Sequence, residues 1–157
     1  MCGRFALKNP QALKAAFDLN ETPNLPPRYN IAPSQDVAAV CMGAHGRELV
    51  MLHWGLIPAW AKDPKTGYSL INARAETVAE KPAFRTAFKK RRCIIPASGF
   101  YEWKEVAGGK QPYYLTLKND EPMGLAGLWE HWQSPEGRVI ESCTILVTDA
   151  NALVKQV

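Results

Sequence analysis

The chain has 157 residues, 46% of them hydrophobic, and carries Lys+Arg 19 against Asp+Glu 15 for a formal net charge of +4. That length fits one domain with a sizeable core, and the lack of an apolar run of about eighteen residues excludes a membrane-spanning helix. No apolar stretch follows the start, so no secretory signal is expected, and the mild basicity alone is weak support for a polyanionic partner.

The chain opens MCGRF. Trimming of Met1 would leave Cys2 with a free α-amine and a thiol on one residue. Asn9-Pro10 then reads as a cap followed by Pro at the first helical position, with Leu13, Ala16 and Phe17 at helical spacing, so a short helix is expected over 10–18. TPNLPPRYNIAPSQ reads as a long, proline-stiffened loop, and the twelve prolines of the chain argue against a helical bundle. VAAVCM and ELVMLHW read as strands joined through GAHGR. WGLIPAWAKDPKTG reads as a second ordered loop. Residues 82–90 have a helical pattern, with Phe84, Ala87 and Phe88 on the core side and the basic run Lys89, Lys90, Arg91, Arg92 at its end. The strands RCIIPA, GFYEWKEV, PYYLTLK, MGLAGLWEHW and VIESCTILV follow, with GGK as a hairpin connection. A final helix is expected in TDANALVKQV, capped by Thr148 or Asp149. Strands with a few short helices, rather than alternating β and α, imply a single α+β domain over 1–157 around a mainly antiparallel, barrel-like sheet.

The four cysteines, at 2, 41, 93 and 143, have no C-x-x-C spacing. They read as reduced thiols of a cytosolic compartment, with Cys93 and Cys143 as buried fillers. His45, His53 and His131 lack metal-ligand spacing, so neither a metal nor another cofactor is expected.

Cys2 as a free N-terminal residue has a specific chemistry. Its α-amine, with an ordinary pKa of roughly 7.7–8.0, is partly neutral at pH 7 and attacks aldehydes to give an imine. The thiol can then add to the imine carbon and close a five-membered ring. The bland alternative is a small residue that happens to come second. Glu102, beside Phe100 and Lys104 on one strand face, is a candidate proton shuttle or an ordinary exposed strand glutamate. In Asn72-Ala73-Arg74-Ala75-Glu76, Asn72 can orient a carbonyl or hydroxyl and Arg74 can hold a phosphate. Turn capping and an Arg74–Glu76 surface pair are the plain alternatives. Trp54 ends an apolar strand and reads as core, whereas Trp60, before Ala-Lys-Asp-Pro, reads as an exposed stacking platform.

MCGRF, RYNIAPSQ, WGLIPAW, INARAET, RRCIIPASGFYEWK, QPYYLTL and GLAGLWE occur in one order. Over essentially its whole length the chain resembles the SRAP family, the SOS-response-associated peptidases, also called abasic-site processing proteins. The resemblance implies a DNA-damage protein that binds single-stranded DNA containing an abasic site. The ring-opened sugar exposes an aldehyde, to which the N-terminal cysteine links as a thiazolidine DNA–protein crosslink. In this sequence the nucleophile maps to Cys2, the family's active-site asparagine to Asn72 and its glutamate to Glu102. Strand-binding positions map to Arg4, Asn30, Pro33, Trp60 and Arg74. A cytoplasmic monomer with no cofactor, no metal and no membrane partner is expected.

Two departures bear on that expectation. The family carries a histidine in an I-H-x-R-M-P-like segment about where this sequence stops at Val157, so a shortened chain with weaker proton transfer is expected. Met1, while attached, blocks the α-amine that ring closure requires. Two other readings stand beside the covalent one: a cysteine peptidase that removes its own Met1, and a non-catalytic single-strand-binding module.

Overall fold

The fold is described from a computed structural model that covers residues 2–157. The expectation concerning Met1 falls outside the described residues. β1 (Phe5–Leu7) leads through a 3-10 turn at Pro10–Ala12 into α1 (Leu13–Phe17), so the helix expected over 10–18 is present in two parts. It stops at Asp18, whose φ of 53° is left-handed and whose N–H closes on the Lys14 carbonyl.

The proline-rich stretch is not a loop throughout. Arg28–Ile31 form β2, paired antiparallel to β1 through Phe5↔Ile31 and Leu7↔Arg28. The two preceding prolines mask this strand in the sequence, because they remove backbone donors only upstream of it. β3 (Asp36–Gly43) and β4 (Gly46–Trp54) form the expected hairpin, and Gly46 supplies its turn with a φ of 118°.

A 3-10 segment at Pro64–Ser69 follows, capped by the Asp63 side chain, and then β5 (Asn72–Arg74). The sequence shows residues 72–76 only as a polar cluster, with no strand pattern. A three-residue strand is too short to display alternation, and β5 exists because β10 (Val139–Val147) offers it an edge, in parallel register Ile145↔Asn72 to Val147↔Arg74. α2 (Arg85–Lys90) buries Ala87 against Phe84 as expected. β6 (Arg92–Ala97), β7 (Gly99–Val106), β8 (Gly109–Leu115) and β9 (Met123–Gln133) complete the strands. At the end of the chain the side-chain cap is Asn151, whose Oδ1 accepts from the N–H groups of Leu153 and Val154. This corrects the expectation of Thr148 or Asp149: the described turn is the single 3-10 segment Val154–Gln156, which starts too late for either to reach it.

The strands form two sheets, in orders β2-β1-β7-β8 and β4-β3-β6-β9-β10-β5. The second closes on itself. β10 pairs in parallel with β4 at Ser142↔His53 and Cys143↔Trp54, then with β5 along the same edge. The result is the barrel-like, mainly antiparallel α+β architecture read from the sequence, with two parallel pairings added. One apolar cluster joins the sheets. It contains Cys2, Phe5, Leu7 and Ile31 from the first and Leu52, Trp54, Ile95, Cys143 and Ile145 from the second.

Candidate functional site

Cys2 lies directly before β1, an inner strand of the four-stranded sheet. The segment is fixed by main-chain bonds: Tyr101 N–H donates to Arg4 O at 2.9 Å, and Ser98 N–H to Ala6 O at 2.7 Å. The register Phe5↔Phe100 and Ala6↔Gly99, continued towards the start of the chain, carries Glu102 opposite Gly3. The two candidate catalytic residues are thereby brought together. Cys2 is only 9% exposed. Burial pushes its thiol up to about 11, the Arg4 backbone N–H opposes this, and the Glu102 carboxylate adds to it. Glu102 is half-buried, on the rim rather than in the core.

Arg4 and Asn30 also meet. Arg4 Nη1 donates to Asn30 Oδ1 at 2.9 Å. The Nε of the same guanidinium is buried with no hydrogen-bond partner among the described residues. A buried guanidinium donor left unpaired is costly, and an anionic oxygen would satisfy it. Tyr101, next to Glu102 in β7, donates its hydroxyl to Tyr29 O at 2.8 Å and so ties the strand bearing Asn30 to the strand bearing Glu102. Nothing in sequence spacing signals a contact over that separation.

Asn72 opens β5, its Nδ2 donating to Ile145 O at 3.4 Å. The preceding Ile71 packs on the apolar cluster that holds Cys2, and its carbonyl accepts from Trp54 Nε1 at 2.9 Å and from Ile145 N–H at 3.1 Å. Asn72 is therefore anchored to β10 and to the edge of the apolar cluster through Ile71. Arg74, two residues on, shares its strand face and is exposed, with Ala73 buried between them. The plain alternative, a pair between Arg74 and Glu76, is secondary. Thr148 Oγ1 donates to Glu76 Oε1 at 2.6 Å, and this bond, ahead of Arg74, holds the Glu76 carboxyl below its ordinary range.

Pro33 is half-buried in a locked turn, where Ser34 has a φ of 69° and donates to Trp54 O at 2.9 Å. Trp60 is 65% exposed and Trp54 is 1% exposed, so the two tryptophans divide into a surface ring and a core ring. The loop under Trp60 is rigid. Trp132 Nε1 donates to Ala61 O at 2.7 Å, and Ile57 N–H to Ser142 Oγ at 2.8 Å. Where the loop starts, Gly55 and Gly67 lie back to back, and a Cβ on Gly55 would sit 2.7 Å from Gly67 O. Only glycine fits there.

His53 pairs with Asp36 at 3.6 Å and His131 with Glu141 at 3.4 Å. Among the described residues no group of three or more His, Cys, Asp or Glu is placed to hold a metal ion. No helix of the described residues is long and apolar enough to cross a membrane.

A family model described as SOS response associated peptidase (SRAP) matches residues 1–157. The abasic site processing protein YoaM of Bacillus subtilis is 43% identical over 162 residues, a match covering 100% of this chain and 71% of YoaM. The abasic site processing protein HMCES of Xenopus tropicalis is 30% identical over 155 residues, covering 80% of this chain and 46% of that protein. A crystal structure of a protein from Bacteroides thetaiotaomicron superposes with a TM-score of 0.86 at 27% identity, over 98% of this chain and 71% of that one. One from Bordetella bronchiseptica gives 0.80 at 29% identity, over 96% and 74%.

Proposed function

Since the chain belongs to the SOS response associated peptidase (SRAP) family, we propose that it processes abasic sites in single-stranded DNA by covalent capture through Cys2. Two of its relatives carry abasic site processing in their names. The observation that carries the reading is the meeting of Cys2 and Glu102 beside a guanidinium with an unpaired buried donor.

The order of steps follows from the thiol. Held near 11, it is almost entirely protonated at pH 7, so the amine acts first. Once Met1 is removed, the neutral α-amine of Cys2 adds to the C1′ aldehyde of the open sugar to give a carbinolamine. Glu102 delivers a proton to the departing hydroxyl, and water leaves as the imine forms. The Cys2 sulfur then bonds to the imine carbon. Its proton passes through Glu102 to the ring nitrogen, and the thiazolidine is closed with a net loss of one water. Ring closure consumes the imine, the species whose β-elimination would cut the strand. Arg4, aligned by Asn30, and Arg74 hold phosphates. Pro33 and Trp60 stack at the gap left by the missing base, and Asn72 orients the opened sugar.

A peptidase reading requires a general base next to the thiol, and no histidine is among the groups acting on Cys2. A purely binding module predicts salt-dependent association without an adduct. The test is intact-mass measurement after trimmed protein meets abasic single-stranded DNA. One adduct, equal to protein plus DNA minus one water and absent in Cys2→Ala, is expected. An equally heat-stable adduct in Cys2→Ala would overturn the proposal.

A further inference from the structure

The thiols away from the Cys2 site are not scattered. β3 and β6 pair antiparallel with Val40 opposite Ile94. One residue further along, that register sets Cys41 opposite Cys93. Directly opposed residues of an antiparallel pair have Cα atoms about 4.5–5.5 Å apart, inside the range of about 4.4–6.8 Å that a disulfide spans. Each thiol acts on the protonation of the other, and neither is in a disulfide. They line one largely apolar cavity of about 290 Å³, flanked by Arg47, Arg92 and Met42. Cys41 is partly exposed and Cys93 is buried behind it.

We infer that Cys41 and Cys93 form an oxidisable dithiol, in which Cys41 reacts with a small hydroperoxide entering this cavity and Cys93 resolves the product as a cross-strand disulfide. Cys41 sulfur attacks the peroxide O–O bond, becomes a sulfenic acid and releases water or an alcohol. The Cys93 thiol displaces the sulfenic hydroxyl as a second water, and the S–S bond forms. Two thiols are oxidised and one peroxide is reduced.

The chemistry of the pair has the required polarity. The Cys93 thiol holds Cys41 below the ordinary thiol value, against the opposing effects of burial and of the Glu141 and Glu48 carboxylates. Cys93 itself is pushed up, by its Cys41 neighbour and then by burial. Nucleophile and resolving thiol are thus distinguished by position. Cys143, fully buried and also raised, is the built-in comparison. Cys2, with its thiol near 11, is slower than Cys41 with peroxide, so oxidation reaches the pair before the DNA-reactive residue.

The test is non-reducing peptide mapping of the whole protein after limited hydrogen peroxide. Trypsin separates residues 29–47 from residues 93–104, so a Cys41–Cys93 bond appears as one linked species that a reductant dissolves. Linkage of that pair, with Cys41 consumed about tenfold or more faster than Cys143, is the expected result. In Cys41→Ser, Cys93 is expected to stay unmodified and to alkylate after unfolding. Accumulation of Cys41 sulfinic acid without linkage, linkage to Cys143 instead, or equal oxidation of Cys41 and Cys143 would each overturn the inference.

Discussion

Arg4 crosses from the β1 segment to β2 and places Nη1 2.9 Å from Oδ1 of Asn30. The bond uses one end of the guanidinium fork and leaves its buried Nε without a partner. If that donor meets a DNA phosphate, the two residues fail differently on substitution. Arg4→Ala removes a phosphate contact and lowers the salt slope of single-strand binding by about 0.7. Asn30→Ala keeps the charge and the slope but weakens affinity at every salt concentration. Anisotropy titrations over a salt series measure both.

The Cys2 thiol, raised to about 11, gives two pH signatures. Its alkylation rate follows the thiolate, rising about tenfold per pH unit and levelling near pH 11. Between about 9 and about 11 the folded chain keeps a proton that the unfolded chain releases, so this group lowers stability as pH rises through that window. Cys2→Ala should remove up to about 3 kcal/mol of that decline. Denaturant midpoints at stepped pH for the two proteins give the comparison.

Glu102→Gln should slow adduct formation by about 10²-fold, the lower end of the usual range for a positioned acid–base group. Half-buried Glu102 lies on a rim, so non-covalent DNA affinity and Tm should change little. Single-turnover gels beside equilibrium binding separate the two. Loss of affinity equal to the loss of rate would assign Glu102 to binding instead.

The two tryptophans should part company. Trp60→Ala removes an exposed ring and is expected to cost about 1–3 kcal/mol in binding with no change in Tm. Trp54→Ala empties a buried position, removes one of the two donors to the Ile71 carbonyl and should cost about 3–5 kcal/mol of stability. Thermal melts and binding isotherms on both variants suffice.

Arg91 Nη2 pairs with the buried Glu130 at 2.7 Å. Arg91→Ala leaves that carboxylate buried without a counter-charge, held by the His131 N–H at 3.0 Å, for about 3–5 kcal/mol. Adding Glu130→Gln on top should recover part of the loss. If the double variant is no more stable than the single, the stranded charge is not the cause.

What could be read beforehand follows from range. The β3–β4 hairpin and β6, β7, β9 and β10 rest on local periodicity and turn residues and stand where expected. By contrast, α2 starts three residues later than its pattern, and β8 lies three residues earlier, at Gly109–Leu115, because its hairpin already turns at Ala107 and Gly108. β1, β2 and β5 were missed as strands. Each is three or four residues long and exists through a partner distant in sequence, such as Val147 for Arg74. The same limit governs the site. The aldehyde chemistry proposed for Cys2 is read from one residue, and the exposure of Trp60 from its flanks. The buried Arg4 Nε, the Tyr101–Tyr29 tie and the Cys41–Cys93 opposition need the register between strands, which composition does not encode.

The placement of β1 between β2 and β7 has a consequence for the order of events during synthesis. A ribosome makes Cys2 almost at once, yet the strand that seats it begins at Gly99. Until β7 is made, Cys2 lacks Glu102 and the strand that carries it, although β2 is already available. On the chemistry proposed for Cys2, a nascent chain is accordingly a poor trap for damaged DNA, and its leading segment stays open to a peptidase until the later strand arrives and draws it inward.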